Sequence, residues 1–249
     1  MAPERYLNCV HSAHLSGMAL GGGLVCVGTC RGEKDGVGCE QCGQFADATS
    51  GRSDAMDMVM PDLEQEVASI QDEGVQRFVR DMLTTAPPYF WTVPASMTGK
   101  YHPADDLGLG GLVRHVQKAV ELGRKLAEVF MIEKHTDIIV AALVLHDCFK
   151  YGENNTKEGY SNHGYRMYYH IRQALEQGKL PYVTEDETLS AKVRAIGFAI
   201  MRHSGRWHGT REGKAENTID WAVHIADVMS AHKLMAREAA EALREVAEV

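Results

Sequence analysis

Apolar residues recur at helical spacing along most of this chain, from Pro61 onward. The clearest row alternates spacings of four and three residues: Leu112, Val116, Ala119, Gly123, Leu126 and Phe130. Such a row predicts an amphipathic helix with one face in the core. A second stretch, 138–145, is apolar on every face and predicts a helix at the centre of the domain. No pair of alternating strands stands out over 61–249, so the main domain is predicted to be all-α.

Short turns separate the predicted helices, and the prolines of "APPYFWTVP" end the first of them because proline cannot continue a helix. The predicted helices are Asp62–Leu83, one from near Gly111, one capped by Thr136, one starting at Ser161, one opened by a capping box of Thr184 and Glu187, and one around Trp221–Lys233. The expected architecture is a helical bundle with a small N-terminal extension.

The first 60 residues differ from the rest, since Gly, Cys, Ser and Asp are frequent and no apolar periodicity lasts beyond one turn. We interpret residues 1–60 as an irregular, Cys/Gly-rich extension. Its stretch "CVGTCRGEKDGVGCEQC" holds a CxxxC followed by a CxxC, an arrangement that suits a structural zinc site. The four thiolate ligands would be Cys26, Cys30, Cys39 and Cys42. The alternative is a flexible extension whose thiols are incidental.

Composition narrows the classes of function. The formal net charge of −8 opposes long-range attraction to a nucleic-acid backbone, so a sequence-specific DNA-binding protein is not expected. No apolar run approaches the ~20 residues of a membrane span, and the N-terminus does not resemble a signal peptide. We therefore expect a cytoplasmic protein that binds no membrane, in which disulfides are the less expected use of the six cysteines.

Histidine and aspartate interrupt the core-facing side of several predicted helices. In "LVLHDCFKYGENN" the dyad His146 and Asp147 follows a nearly charge-free helix, where burial of an ionisable pair costs several kcal/mol, roughly, unless a partner is present. The other members of this set are His115, His163, His203 and Asp227. One such residue is more often a hydrogen-bonded core residue. Five helices with the same feature indicate a bound divalent cation, which offsets the cost of burying the carboxylates.

The order of these residues resembles the HD-domain metal-dependent phosphohydrolase superfamily, over about residues 95 to 235. The resemblance lies in "GGLVRH" around His115, "ALVLHDCFK" around the dyad, and "ADVMSA" around Asp227. Two-metal branches add histidines between the dyad and the last aspartate, as "SNHGYRMYYHI" and "AIMRHSGRW" do here. Lys150 completes the "HDxxK" form of those branches. Cys148 and Phe149 depart from their common Ile and Gly, and the loop motif of cyclic-dinucleotide phosphodiesterases is absent.

The resemblance implies an HD-type helical bundle with two divalent ions, drawn from Mn, Fe, Ni, Mg and Zn. The implied ligands of the first ion are His115, His146, Asp147 and Asp227, and those of the second are His163, His203 and a bridging Asp147. The implied activity is hydrolysis of a phosphoester, in a nucleotide or at a nucleic-acid end, by a metal-bridged hydroxide. Lys150 would neutralise charge on the phosphoryl oxygens. Candidates for holding the substrate phosphate are Arg114, Arg202 and Arg206.

Several alternatives stay open. Within the class, the sequence does not choose between a nucleotidase, a deoxynucleotide triphosphohydrolase and an exonuclease, nor between a phosphomonoesterase and a phosphodiesterase, and it does not predict an oligomeric state. His102 approaches the site, binds the substrate or lies in an exposed loop. Four tyrosines near the expected mouth either stack on a nucleobase or form core and wall: Tyr160, Tyr165, Tyr168 and Tyr169. A different class is a non-catalytic, metal-stabilised helical module that binds a nucleotide or a protein partner. Lys150 and the full ligand set favour the enzyme.

Overall fold

A computed structural model describes residues 61–96, 102–153, 163–205, 210–211 and 213–232, and the backbone of two short strands. The chain divides into two units, Met1–Val59 and Met60–Val249. In the first unit, β1 (Leu24–Cys26) pairs antiparallel with β2 (Phe45–Asp47), with Val25 opposite Ala46. The sequence analysis did not predict these strands, which are three residues long each and too short to show an alternating pattern.

In the second unit, the described residues form helices and no strand, as the apolar pattern predicted. The eight α-helices among them are α1 (Glu64–Ala68), α2 (Glu73–Leu83), α3 (Gly111–Val129), α4 (Thr136–Leu145), α5 (His163–Glu176), α6 (Pro181–Glu185), α7 (Glu187–Arg202) and α8 (Thr218–Ala231). Three 3₁₀ turns lie at Pro88–Trp91, Ala104–Asp106 and Glu133–His135. None of the helices in the described ranges combines the length and apolar character needed to cross a bilayer.

Helix α4 lies at the centre of this unit. Every residue from Ile138 to Leu145 is buried, and α4 packs against α2, α3, α7 and α8. The approach of α3 is close, because a Cβ added at Gly123 would lie 2.3 Å from Leu143 Cδ1. The all-apolar stretch therefore forms the core, and its C-terminal end brings His146 and Asp147 into the interior.

The predicted first helix, Asp62–Leu83, is wrong as a single element, because the chain breaks between α1 and α2. The backbone N–H groups of Gln71 and Asp72 donate to the carboxylate of Asp137, at 3.0 Å and 2.9 Å. Asp72 then caps α2 by accepting from the N–H of Val75. The break is stabilised by a residue of α4, far away in sequence, so local periodicity could not locate it.

Two predicted helix starts also differ. Thr184 bonds within the short helix α6, to the Pro181 carbonyl, and the cap of α7 is Asp186, which accepts from Leu189 N at 3.0 Å. Thr136 lies inside the first turn of α4 and its hydroxyl donates to the Glu133 carbonyl. In both places a 3₁₀ turn or a short helix precedes the longer helix. The hydroxyl that was predicted to cap the longer helix therefore donates to a carbonyl three residues earlier in the chain.

Candidate metal centre

Four of the predicted ligands meet where α3, α8 and the end of α4 converge. Nε2 of His115 lies 3.1 Å from Asp227 Oδ1 and 3.6 Å from Asp147 Oδ2. Nε2 of His146 lies 3.5 Å from each of the same two oxygens. Ligands about 2.1 Å from one ion lie about 3.0 to 3.4 Å apart in octahedral or tetrahedral geometry. These four residues therefore have the spacing of a single coordination sphere.

A second set shares the carboxylate of Asp147. Its Oδ1 atom lies 3.1 Å from Nε2 of His163, the first residue of α5, and that nitrogen lies 2.8 Å from Nε2 of His203. Asp147 thus directs Oδ2 toward His146 and Oδ1 toward His163. The two groups His115, His146, Asp147 and Asp147, His163, His203 each bring ligand atoms within 4.8 Å of one another.

Backbone and hydroxyl groups orient three of the imidazoles. Nδ1 of His146 donates to the Leu143 carbonyl at 2.6 Å, and Nδ1 of His203 donates to the Ile200 carbonyl at 2.7 Å. The hydroxyl of Ser230 donates to the Asp227 carbonyl and lies 3.1 Å from Nδ1 of His115, so it accepts from that ring. A proton on Nδ1 leaves Nε2 with a lone pair. All three Nε2 atoms are therefore presented as ligands.

With these protons on Nδ1, the lone pairs of the Nε2 atoms face carboxylate oxygens, which are also hydrogen-bond acceptors. Within the described residues, the buried Nε2 of His146 has no hydrogen-bond partner. Nε2 of His115, if its proton is on Nδ1, faces the Asp227 carboxylate at 3.1 Å with a lone pair. Unpaired buried acceptors cost about 1–3 kcal/mol each, and a cation among them removes that cost. The residues present therefore fit a divalent ion.

Charges in the cluster favour the same occupant. Burial would raise the pKa of Asp147, but Lys150 and His146 outweigh it and hold this pKa well below its usual value. Burial likewise would raise the pKa of Asp227, but the adjacent imidazoles of His115 and His146 outweigh it and hold this pKa well below its usual value. Both carboxylates are ionised at neutral pH, which is the state that binds metal.

The histidines divide into two kinds. Burial lowers the pKa of His115, and burial together with the neighbouring His163 and His146 lowers the pKa of His203 to about 3. Burial also acts to lower the pKa of His146, but the negative charges of Asp147 and Asp227 outweigh it and raise this pKa. The rings of His115 and His203 are thus neutral at pH 7, which is the form that can bind a metal ion, and His146 lies closest to the negative charge of the two carboxylates.

Glycine allows the second set to form. A Cβ added at Gly164, next to His163, would lie 2.6 Å from the Ile200 carbonyl oxygen and 2.9 Å from Nδ1 of His203. Neither neighbour can retreat easily, since one is backbone and the other is a buried ring. Gly164 therefore lets α5 approach the end of α7 closely enough for His163 and His203 to meet.

The cationic residues predicted to bind phosphate have different surroundings. Lys150 lies in the site, with Nζ 2.6 Å from Asp147 Oδ2. Arg114 donates to the carbonyls of Asp105 and Leu109, and so braces the loop before α3. Arg202 pairs with Glu216 and Asp220, which links the end of α7 to the start of α8. Arg206 lies outside the described residues.

The sequence analysis left His102 open, and the structure buries it beside the site. Its ring packs edge-to-face on His115 at a centroid distance of 4.9 Å, and it is 7% exposed. Nδ1 of His102 lies 3.9 Å from Oδ2 of the buried Asp106, and neither atom has a hydrogen-bond partner in the described part of the chain. Asp106 and Ser230 were not predicted. Asp106 lies in the irregular segment before α3, and the contact of Ser230 with His115 depends on the packing of α8 on α3.

One further histidine has a supporting role, and the predicted zinc ligands lie beyond the described side chains. Nδ1 of His224, one turn before Asp227, donates to the His203 carbonyl at 2.8 Å. The proposed zinc ligands Cys30, Cys39 and Cys42 lie outside the described residues, and only the backbone of Cys26 is described. The zinc site of the extension therefore stays a prediction.

Comparisons with protein families, curated proteins and solved structures find no match to this chain. The function is therefore inferred from the contacts among its own residues. Those contacts define a buried centre of imidazoles and carboxylates, built from five parts of a helical unit, with the composition of a site for divalent transition metals.

Proposed function

We propose that this protein is a metal-dependent phosphohydrolase, which resembles the HD-domain superfamily and cleaves a phosphoester of a nucleotide or of a nucleic-acid end. The observation that supports it best is the shared carboxylate of Asp147, which faces His146 through Oδ2 and His163 through Oδ1. A purely structural metal needs one closed set of ligands. Two adjoining sets on one carboxylate favour a pair of ions a few ångströms apart.

The first ion would be held by His115, His146, Asp147 and Asp227, and the second by His163, His203 and Asp147. Such a pair, when bound, activates water and stabilises both the attacking and the departing oxygen in an in-line displacement at phosphorus. The chain supplies the geometry. Hydrogen bonds donated by Nδ1 keep the Nε2 atoms of His115, His146 and His203 turned toward the centre before any substrate arrives.

Access to the centre is one-sided. The side chains of His115 and His146 are 0% exposed, whereas those of His163 and Asp227 are 15% and 21% exposed. A substrate therefore approaches past α5 and α8, and the opposite wall excludes water. The ammonium of Lys150 lies on Asp147 and is placed to shift onto a phosphoryl oxygen, where it would offset developing charge.

The proposal is tested by metal content and hydrolysis together. Wild-type protein, Asp147→Asn and His135→Asn are loaded with Mn²⁺, analysed for metal, and assayed on p-nitrophenyl phosphate and bis-p-nitrophenyl phosphate. His135 is a matched control, because it precedes α4 at the end opposite His146, about 15 Å away by helical rise. We expect two ions and turnover in wild type and His135→Asn, and neither in Asp147→Asn.

The alternative function, a non-catalytic metal-stabilised module, gives a different result. Such a module would bind metal through the same residues and show no turnover with any divalent ion on either ester. Retention of full hydrolysis by Asp147→Asn would contradict the two-ion site on Asp147 as the catalytic centre.

A further inference from the structure

A cavity of about 350 Å³ lies between the turn that follows α4 and the side of α5. The residues that line this α5 cavity are Phe149, Glu153, Tyr165, Arg166, Tyr169, His170 and Gln173. Its volume lies at the lower end of the range of small-molecule sites. Four of the seven side chains carry aromatic rings, two carry opposite charges, and the seventh is the amide of Gln173. This composition suits a flat, polar-edged aromatic ligand.

The cavity adjoins the second set of ligands. Asp147 contacts His163 at the start of α5, and two residues further the ring of Phe149 packs on His170 at 4.8 Å between centroids. The turn therefore runs along α5. His163 and His170 are seven residues apart, which places them on nearly the same side of the helix and about 10 Å apart along its axis.

The same side of the helix is where the site opens. His163 is one of the two ligand side chains with appreciable exposure, so a substrate reaches the centre past the first turn of α5. A group held about 10 Å further along α5 lies at a distance that a nucleoside phosphate spans from its phosphorus atom to the far edge of its base. Ligand centre and cavity are thus arranged for the two ends of one molecule.

Individual rings have the exposure expected of a stacking surface. Tyr169 is 56% exposed although it is a large aromatic residue on a helix, and the hydrophobic effect by itself does not favour that position. Burial lowers the pKa of His170, so its ring is neutral at pH 7 and forms, with Phe149, an uncharged aromatic wall. Tyr168, the preceding residue, instead stacks on Phe198 of α7 and belongs to the packing between helices.

We infer that the α5 cavity binds the nucleobase of the substrate, so that the phosphoester cleaved at the metal centre belongs to a nucleoside phosphate. This inference rests on the proposed function for the position of the phosphate and on the cavity for the base. Tyr169 supplies a stacking face, and Arg166 and Glu153 offer a donor and an acceptor to the edge of the base. Base–aromatic stacking of this kind tolerates any base, so the class named is nucleosides in general.

The test compares esters with and without a base. The four ribonucleoside 5′-monophosphates and ribose 5-phosphate are assayed with Mn²⁺-loaded wild type, Tyr169→Ala, Tyr169→Phe and Arg172→Ala. Arg172 is an exposed residue of α5 that pairs with Glu176 and does not line the cavity. We expect Tyr169→Ala to lower kcat/KM for at least one nucleotide by about 5-fold to 150-fold, the usual range for loss of one stacked ring. Tyr169→Phe and Arg172→Ala should retain wild-type values.

Ribose 5-phosphate distinguishes the inference from a general defect, since its turnover should be the same in all four proteins. An equal loss for nucleotides and ribose 5-phosphate, or no loss for any nucleotide, would overturn the base-binding role while leaving the phosphohydrolase intact. Dinucleoside monophosphates run in parallel separate the two sources of the nucleoside: preferential cleavage of these marks a nucleic-acid end, and preference for monomers marks a free nucleotide.

A second readout decides the case in which no ester is hydrolysed. Binding of the four free nucleosides to wild type and Tyr169→Ala is followed by saturation-transfer NMR. Binding by wild type that Tyr169→Ala loses would support the cavity as a nucleoside site even though the phosphohydrolase had failed. Absence of nucleoside binding, in a protein that also turns over no nucleotide, would refute it.

Discussion

The Oδ1 atom of Asp147 lies 3.1 Å from Nε2 of His163, while its Oδ2 atom lies 3.5 Å from Nε2 of His146. One carboxylate therefore faces a deeply buried histidine on one side and a partly exposed one on the other. Loss of either histidine should affect the two ions differently, because only Asp147 is common to both sets.

His163→Ala should remove the second ion and retain the first. Elemental analysis is expected to show a fall from two Mn²⁺ per chain to one, and hydrolysis should fall at least about 100-fold, as when one preorganised electrostatic stabiliser is lost. His146→Ala, by contrast, should cost the first ion. Loss of both ions from His163→Ala would show that the two sets do not bind independently, and loss of neither would show that His163 is not needed to hold the second ion.

Gly164→Ala should weaken the second ion without touching a ligand. The new Cβ would lie 2.6 Å from the Ile200 carbonyl oxygen and push α5 away from His203. We expect a loss of roughly 10- to 100-fold in affinity for the second ion. Changes to groups that orient a metal ligand have effects of this size. Competition with a fluorescent chelator measures it.

Gly197→Ala is the matched control for that variant. Gly197 lies in α7 at the same pair of helices, where an added Cβ would meet the ring of Tyr168 at 3.2 Å. It should cost some stability by overpacking and leave metal affinity unchanged. If both glycine variants weakened the metal equally, the effect would be general loosening of α5 against α7.

Ser230→Ala should lower affinity for the first ion about 10- to 100-fold, because Ser230 accepts from Nδ1 of His115 and keeps Nε2 as the ligand atom. The measurement is Mn²⁺ titration at constant pH. Ser190→Ala, in α7, is the control and should titrate like wild type. An unchanged affinity in Ser230→Ala would mean that Asp227 alone orients His115.

Metal should stabilise the fold through the same residues. At about 100 times its Kd, an ion adds about 2.7 kcal/mol to the free energy of unfolding, which corresponds to a rise in Tm of about 5 to 11 °C for a unit of this size. Differential scanning calorimetry with and without Mn²⁺ should show this rise in wild type and not in Asp147→Asn. An equal rise in both proteins would place the stabilising ion elsewhere.

Asp137→Ala should destabilise the protein independently of metal. Its carboxylate accepts the N–H groups of Gln71 and Asp72, and its removal leaves two backbone donors of the α1–α2 break without that acceptor. We expect a loss of about 1–3 kcal/mol in urea unfolding. Glu73→Ala, which removes an exposed first-turn acid of α2, should cost less than about 1 kcal/mol. Equal losses of stability in the two variants would mean that Asp137 acts only through the helix dipole and not through its hydrogen bonds.

Periodicity alone predicted where α3 begins and that His115 and His203 lie on core-facing rows, and both side chains are buried. It also predicted the central position of Ile138–Leu145. These predictions hold because the buried face of a helix recurs every three or four residues, so a short stretch of sequence is enough to identify it. The predicted set of ligands comes together in space for the same reason, since a polar residue in such a row can only point inward.

Contacts between distant parts of the chain could not be predicted from local periodicity. The break at Gln71 depends on Asp137, the orientation of His115 depends on Ser230, and the burial of His102 depends on packing against His115. In each case the partner lies on another helix, and no local pattern specifies which helices pack together. The sequence by itself determined helices, their buried faces and the residue types at the centre. Only the tertiary structure decided which lone pairs face one another, because that depends on hydrogen bonds made across the bundle.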